Sequence, residues 1–265
     1  MSDQRDILTL SGVTLNFGGL SAVSNVDMRL APGELVGLIG PNGAGKTSIF
    51  NLLTGVYPPT SGTIEFVRDD KPRNLGGMKP HSICWAGIGR TFQNIRLFKA
   101  LPVIDNVMIA LQHNLPYSLF DAFLHTPKQQ RVETQIREQS LELLDIMGLK
   151  DKADELAQNL PYGEQRRLEI ARAMATKPVL LLLDEPAAGM NPAETAELTK
   201  LIGWLRQQYN LTILLIEHDM SLVMNICERI YVLDHGLVIA TGTPAQVQHN
   251  PAVIEAYLGE EVADA

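Results

Sequence analysis

The run GPNGAGKT at residues 40–47 has the spacing G-x-x-x-x-G-K-[ST], the pattern of a loop that wraps phosphate groups. Its glycines let backbone N–H groups approach phosphate oxygens, and Lys46 adds a compact positive charge suited to β and γ phosphates. The Thr47 hydroxyl suits a hard cation such as Mg2+. Far downstream, LLLLDEP at residues 180–186 sets Asp184 and Glu185 where an apolar run ends. Asp184 can hold Mg2+ through water, and Glu185 can orient and polarise an attacking water. His218, in TILLIEHD, follows another apolar run and can emerge beside that pair. Gln93, in RTFQNIRLF, taken by itself is a polar loop residue.

These groups converge only if the right elements carry them. Residues 35–39 form an apolar strand before the loop, and a helix follows from Lys46 to Leu53, the strand, loop and helix order that phosphate binding requires. Residues 179–183 and 212–216 read as further buried strands ending in acidic residues, which predicts a parallel α/β sheet with its ligands at the strand ends. Between them Asn191, Pro192 and Glu194 predict an N-cap, a first-turn proline and a capping glutamate. Leu198, Leu201, Ile202 and Leu205 then repeat at helical spacing. Residues 7–17 and 23–30 are β-rich, and residues 229–233 and 237–241 flank a glycine turn as a strand pair. From Gln93 to about Asn159 the β signal fades. Residues 131–147 read as an amphipathic helix with Val132, Ile136, Leu143, Leu144 and Met147 inward, and residues 250–258 as a short terminal helix.

The ordered set of phosphate loop, Gln93 loop, helix start after Leu160, Asp184–Glu185 pair and His218 resembles the ABC transporter ATPase family over almost the whole chain. The resemblance implies one ABC ATPase domain, a P-loop (RecA-like) core sheet with an antiparallel β subdomain and an inserted helical subdomain. Residues 1–92 and 160–245 would form the nucleotide-binding core, 93–159 the helical insert, and 246–265 a terminal helix and tail. It implies ATP and Mg2+ as cofactors, with Phe17 stacking on adenine and Gly40, Pro41, Asn42, Gly43, Ala44, Gly45, Lys46, Thr47 and Ser48 around the phosphates. Thr47, Gln93 and Asp184 would hold the metal, and Glu185, His218 and Gln93 would serve hydrolysis. The family's signature, Leu-Ser-Gly-Gly-Gln, aligns with Leu160, Pro161, Tyr162, Gly163 and Glu164. Pro161 lacks the hydroxyl that the family presents to the phosphate of the opposite subunit, and Asn191 stands where many members carry aspartate. Tyr162, Gly163 and Glu164 would still complete a partner's site through backbone N–H groups at a helix N-terminus.

Within the family, the wording GGLSAVSNV, GRTFQNIRLF, YGEQRRLEIARA, EPAAGMNP, LLIEHDMSLVM and AYLGEE is similar to subunits of branched-chain amino-acid import systems. The family resemblance implies a second ATPase in a head-to-tail dimer, which the altered signature suggests is non-identical, membrane permease subunits docking near Ile95, Leu97 and Phe98, and indirectly a periplasmic or extracellular solute-binding protein. The chain would then work in the cytoplasm, peripheral on the inner face of the cell membrane. A non-transport ABC ATPase and a weakly hydrolysing regulatory subunit remain alternatives, the second because of Pro161 and Asn191.

Composition sets the outer limits. The chain has 265 residues, 45% hydrophobic and 20% charged, within ordinary globular range and long enough for a substantial core. A net charge of −8 opposes general affinity for nucleic-acid backbones. Cys84 and Cys227 supply no disulfide framework or zinc spacing, which fits a reducing compartment. The polar first residues, MSDQRD, lack the order of a secretory signal, and no apolar run reaches the roughly 20 residues of a membrane-spanning helix.

Overall fold

Continuous apolar runs become strands buried on both faces, while alternating runs become strands of a one-sided sheet. A computed structural model describes residues 5–112 and 127–263 of the chain. Those residues form two compact units, one of Met1–Gln93 with Val179–Ala265, the other of Asn94–Pro178.

In the first unit β1 (Leu8–Phe17) and β2 (Leu20–Leu30) pair antiparallel, and β4 (Ser61–Arg68) and β5 (Lys71–Asn74) extend them into a four-stranded sheet of order β2-β1-β4-β5. The second sheet holds β3 (Leu35–Ile39), β6 (Ile88–Arg90), β7 (Leu180–Asp184), β8 (Thr212–Ile216), β9 (Arg229–Asp234) and β10 (Leu237–Gly242), in the order β10-β9-β3-β8-β7-β6. Its strands are parallel except β10, which turns back on β9. Every residue of β3, β7 and β8 is buried, as their predominance of Leu, Ile and Val requires. Because β3, β7 and β8 are parallel neighbours, the phosphate loop, Asp184–Glu185 and His218 all leave the sheet at one edge.

Helix α1 (Lys46–Leu53) buries Ile49, Phe50, Leu52 and Leu53 in a core that also takes Leu8, Val13 and Phe66 from the antiparallel sheet and Leu38, Leu182 and Leu214 from the parallel one. α2 (Pro80–Ala86) is a short helix ahead of β6. α6 in chain order (Pro192–Tyr209) starts with the anticipated cap: Glu194 N donates to Asn191 Oδ1 at 3.0 Å, and Asn191 N donates to Glu194 Oε2 at 3.0 Å. α7 (Met220–Ile226), α8 (Pro244–Gln248) and α9 (Pro251–Ala263) complete this unit.

The second unit is helical: α3 (Val103–Leu111), α4 (Pro127–Ile146) and α5 (Tyr162–Ala175) pack on one another. Ile136, Leu144 and Met147 are buried, and Val132 and Leu143 half-buried, so the sequence periodicity of α4 is its buried face. The sequence reading drew the end of this unit after Asn159, whereas the compact unit runs on to Pro178 and contains α5. α5 packs on α3 and α4, and it also buries Arg166 completely, paired with Glu169 at 2.7 Å. Among the described residues no helix is long and apolar enough to cross a membrane.

The capping box on α6 yields the first test. Asn191→Ala removes one acceptor and its reciprocal partner, so urea unfolding should show about 1 kcal/mol lost. An unchanged midpoint would mean that α6 is held by its buried Leu198, Ile202 and Leu205 alone.

Candidate functional site

The loop after β3 is shaped by two glycines. At Gly40, with φ +147, an added Cβ would lie 2.0 Å from Leu233 O; at Gly45, with φ +103, it would lie 2.5 Å from Ala22 O. Neither site admits a side chain. The turn between β9 and β10, His235–Gly236, locks the same loop from outside: Gly236 N donates to Ala44 O at 3.0 Å, and Ser24 N donates to Gly236 O at 2.8 Å. Positive φ at both turn residues, 45 and 80, suits the right-handed twist of the flanking strands.

α1 begins inside this loop with Gly45 as its N-cap and no side chain capping it, so its first N–H groups face the cavity. Lys46, almost fully buried, folds back to donate from Nζ to Gly40 O at 2.6 Å and to Pro41 O at 2.7 Å. The resulting cavity, ≈ 540 Å3, is lined by Asn42, Gly43, Ala44, Gly45, Lys46, Thr47 and Ser48 together with Gln93, Glu185 and His218, and on its other side by Leu20, Ser21, Ala22 and the His235–Gly236 turn.

Glu185 sits at the centre of the polar side. Its backbone is left-handed, φ 46, a strained state for a residue with a side chain, and its N–H donates to Ile216 O at 2.9 Å. Its carboxylate is shared: Gln93 Nε2 donates to Oε2 at 2.8 Å, and His218 Nε2 lies 2.6 Å from Oε1. Three segments far apart in the chain thus meet on one carboxylate.

Asp184, one residue earlier, has the opposite environment. It is 2% exposed, and its Oδ2 accepts from Arg90 Nη2 at 2.9 Å. Arg90 also donates to Asn51 Oδ1 at 2.9 Å and Thr54 Oγ1 at 3.0 Å on α1, and lies over the rings of Phe50 and Phe92. This cation fastens the strand carrying Asp184 to the helix that starts at Lys46.

Sequence reasoning missed Arg90, because an arginine four residues after an apolar helix carries no sign of a partner 94 positions away. It also missed Glu217, which is buried and accepts from Ala187 N at 2.7 Å and His218 N at 3.2 Å. Burial pushes its carboxyl above the usual range while backbone N–H groups pull it back. Glu217 thereby ties the turn after Glu185 to the start of the His218 loop. Its signal was present: an acid directly after a buried strand.

Phe17, at the end of β1, does not line the cavity, but pairs in register with Leu20, which does. Its ring is 44% exposed. Tyr162, Gly163 and Glu164 lie in the helical unit, at the start of α5 behind the N-cap Pro161, which offers no side-chain cap. Glu164 is paired with Lys152 at 2.6 Å, and Tyr162 is exposed. In the same unit the segment with Ile95, Leu97 and Phe98 is tied down through its backbone. Arg96 N donates to Glu169 Oε1 at 3.2 Å, Arg172 donates to Arg96 O, and Phe98 N donates to the buried Asn106 Oδ1 at 2.9 Å. Ile95 and Leu97 are half-buried; Phe98 is 45% exposed and lies under the Arg172 guanidinium.

Residues 23–188 match the ABC transporter family, and residues 238–263 match the branched-chain amino acid ATP-binding cassette transporter family. The high-affinity branched-chain amino acid transport ATP-binding protein LivG of Escherichia coli (strain K12) is 51% identical over 96% of this chain and 98% of its own. Its counterpart BraF of Pseudomonas aeruginosa is 46% identical over 97% and 99%. The lipopolysaccharide export system ATP-binding protein LptB of Escherichia coli (strain K12) is 34% identical over 96% and 98%. Among solved structures, a nucleotide-free ATP-binding cassette from an ABC transporter superposes with a TM-score of 0.80 at 27% identity, covering 96% of this chain and 99% of the other.

The Arg90–Asp184 pair is buried on both sides, with side chains 7% and 4% exposed. Arg90→Met should therefore strand a buried carboxylate and cost about 3 kcal/mol in urea unfolding. A variant as stable as the wild type would mean that Asp184 needs no cation to stay buried.

Proposed function

This chain belongs to the ABC transporter family of ATP-binding proteins, and on that premise we propose that it is the ATP-hydrolysing subunit of an importer for branched-chain amino acids. The observation that carries the enzymatic reading is the single cavity in which the Lys46 loop faces Glu185, Gln93 and His218. The cargo rests on different support, since no residue of that cavity would touch an amino acid. Two findings favour it: the match of residues 238–263, and the 51% identity with LivG against 34% with LptB.

ATP enters with its phosphates against the loop of residues 40–48 and its adenine on Phe17. Lys46 exchanges the carbonyls of Gly40 and Pro41 for phosphate oxygens, and the N-terminus of α1 adds its N–H groups. Thr47, Asp184 and Gln93 would hold the metal. A hydroxyl, a carboxylate and an amide carbonyl are hard oxygen donors, which suits Mg2+, and Arg90 fixes the Asp184 carboxylate through Oδ2. When bound, Mg2+ neutralises charge on the β and γ phosphates. Glu185 orients the attacking water, and the Gln93 and His218 contacts hold its carboxylate in place.

The site is completed by a second ATPase subunit, non-identical because Pro161 deprives this chain's signature of a hydroxyl at that position. In return, Tyr162, Gly163 and Glu164 serve the partner's nucleotide. Membrane permease subunits dock on Ile95, Leu97 and Phe98, whose backbone is already fixed by Glu169, Arg172 and Asn106, so exposed Phe98 costs little further ordering on binding. A solute-binding protein outside the membrane delivers the cargo to the permease. The chain works in the cytoplasm, on the inner face of the membrane.

Two experiments follow. In the assembled transporter, Glu185→Gln should keep ATP affinity near wild type and cut hydrolysis at least ~100-fold, whereas Lys46→Ala should weaken binding itself. Wild-type turnover in Glu185→Gln removes the assigned role. Replacing Leu97 and Phe98 with Ser should abolish co-purification with the permease and branched-chain amino-acid uptake while ATP still binds; normal assembly places the docking surface elsewhere.

A further inference from the structure

Phe17 is expected to carry the adenine, and it stands at the very end of its strand. It is the last residue of β1, followed by Gly18 and Gly19, and the strand is irregular between Leu15 and Asn16. An exposed phenylalanine in that position is free to sample rotamers, and each lost rotamer weakens ligand binding.

One side chain restrains it. The ring of Tyr57 meets that of Phe17 edge to face, with centroids 5.0 Å apart and planes at 81°. This is a favoured geometry for an aromatic pair. It leaves Phe17 44% exposed, so ring surface remains for a base.

Tyr57 is itself held at both ends. On one side Val56 N donates to Asn51 O at 2.9 Å and Tyr57 N approaches the same oxygen at 3.5 Å, which ties the segment to the last turn of α1. On the other side Pro58 and Pro59 restrict Tyr57 to extended backbone and stiffen the next two residues. Thr60 then locks onto β1: its N–H donates to Thr14 O at 2.8 Å, and its Oγ1 accepts from Asn16 N at 3.0 Å. The segment therefore runs from the helix that starts at Lys46 to the strand that ends at Phe17. It carries an aromatic ring at the point where the two must be held in register.

We propose that Tyr57 is a positioning residue for nucleobase recognition, setting the Phe17 ring in its stacking orientation relative to the phosphate loop. The inference rests on the reading of Phe17 as the adenine-stacking residue. Tyr57 does not line the cavity of the phosphate loop, so its effect is confined to the part of the nucleotide that Phe17 meets. A tripolyphosphate ion, which has phosphates and no base, serves as the control ligand.

Calorimetric titration of the full chain with ATP and with tripolyphosphate separates the possibilities. Tyr57→Ala should weaken ATP binding about fivefold and leave tripolyphosphate affinity unchanged, while Tyr57→Phe, which keeps the ring, should stay within about twofold of wild type for both. Phe17→Ala should weaken ATP at least as much, and the double variant Phe17→Ala/Tyr57→Ala should bind ATP no more weakly than Phe17→Ala alone, because the second ring then has nothing to position. Equal losses for ATP and tripolyphosphate in Tyr57→Ala would overturn the proposal, showing that the residue supports α1 generally. So would additive losses in the double variant, or wild-type ATP affinity in Tyr57→Ala beside a weakened Phe17→Ala. Unchanged ATP affinity in Phe17→Ala would remove the stacking role itself and the inference built on it.

Discussion

Two places where the chain passes too close to its own backbone for any side chain determine the rest of the site. Gly40 runs beneath Leu233 O on β9, and Gly45 beside Ala22 O on β2. Because both approaches are to backbone carbonyls, a neighbour cannot swing aside to make room. The loop is thus held between the central parallel sheet and the antiparallel sheet, and the hydrogen bond from Gly236 N to Ala44 O closes it from the third side. From that path follow the abrupt start of α1, the open N–H groups at its first turn, and the return of the Lys46 ammonium onto the carbonyls of Gly40 and Pro41. A loop that stabilises its own lysine in this way is already arranged for a ligand rich in negative oxygens.

Two adjacent carboxylates then receive different tasks from their surroundings. Asp184 ends β7 inside the protein against Arg90, whose other terminal nitrogen, Nη1, donates to Asn51 and Thr54 at the end of α1. Glu185 turns out of the sheet through a left-handed backbone step and meets Gln93 and His218. Strain of that kind persists only where neighbours enforce it, and here the bond from Glu185 N to Ile216 O and the Glu217 contacts with Ala187 and His218 do so. In the proposed function one residue holds a cation and the next handles water. The difference lies in a single reversal of backbone direction.

Much of this was legible in the sequence, because it depends on contiguous patterns. The phosphate loop, the fully buried strands β3, β7 and β8, the Asn191 cap and the His235–Gly236 turn each announce themselves within a dozen residues. What escaped depends on contacts between distant residues. The strands β5 and β6 and helix α2 are short, β4 buries only Ile64 and Phe66 fully, and β5 is exposed throughout, so neither length nor burial marks it. Arg90 and Glu217 read as ordinary charges until their partners are seen, and Tyr57 as an ordinary loop residue until Phe17 is placed against it. Helix α5 starts behind Pro161 with no side-chain cap, nothing local says which unit it will join, and its buried Arg166–Glu169 pair looks polar in sequence. Cargo identity has no physical trace in the site at all. It comes from relatedness, not from chemistry.

The central claim is that the loop of residues 40–48 receives the phosphates of ATP. A crystal structure of the chain with a non-hydrolysable ATP analogue tests it most directly, through one atom. Lys46 Nζ should leave the carbonyls of Gly40 and Pro41 and lie within hydrogen-bond distance of the terminal phosphates, with the backbone of residues 40–45 in its present path. Phosphates bound elsewhere, with Lys46 still on its two carbonyls, would contradict it.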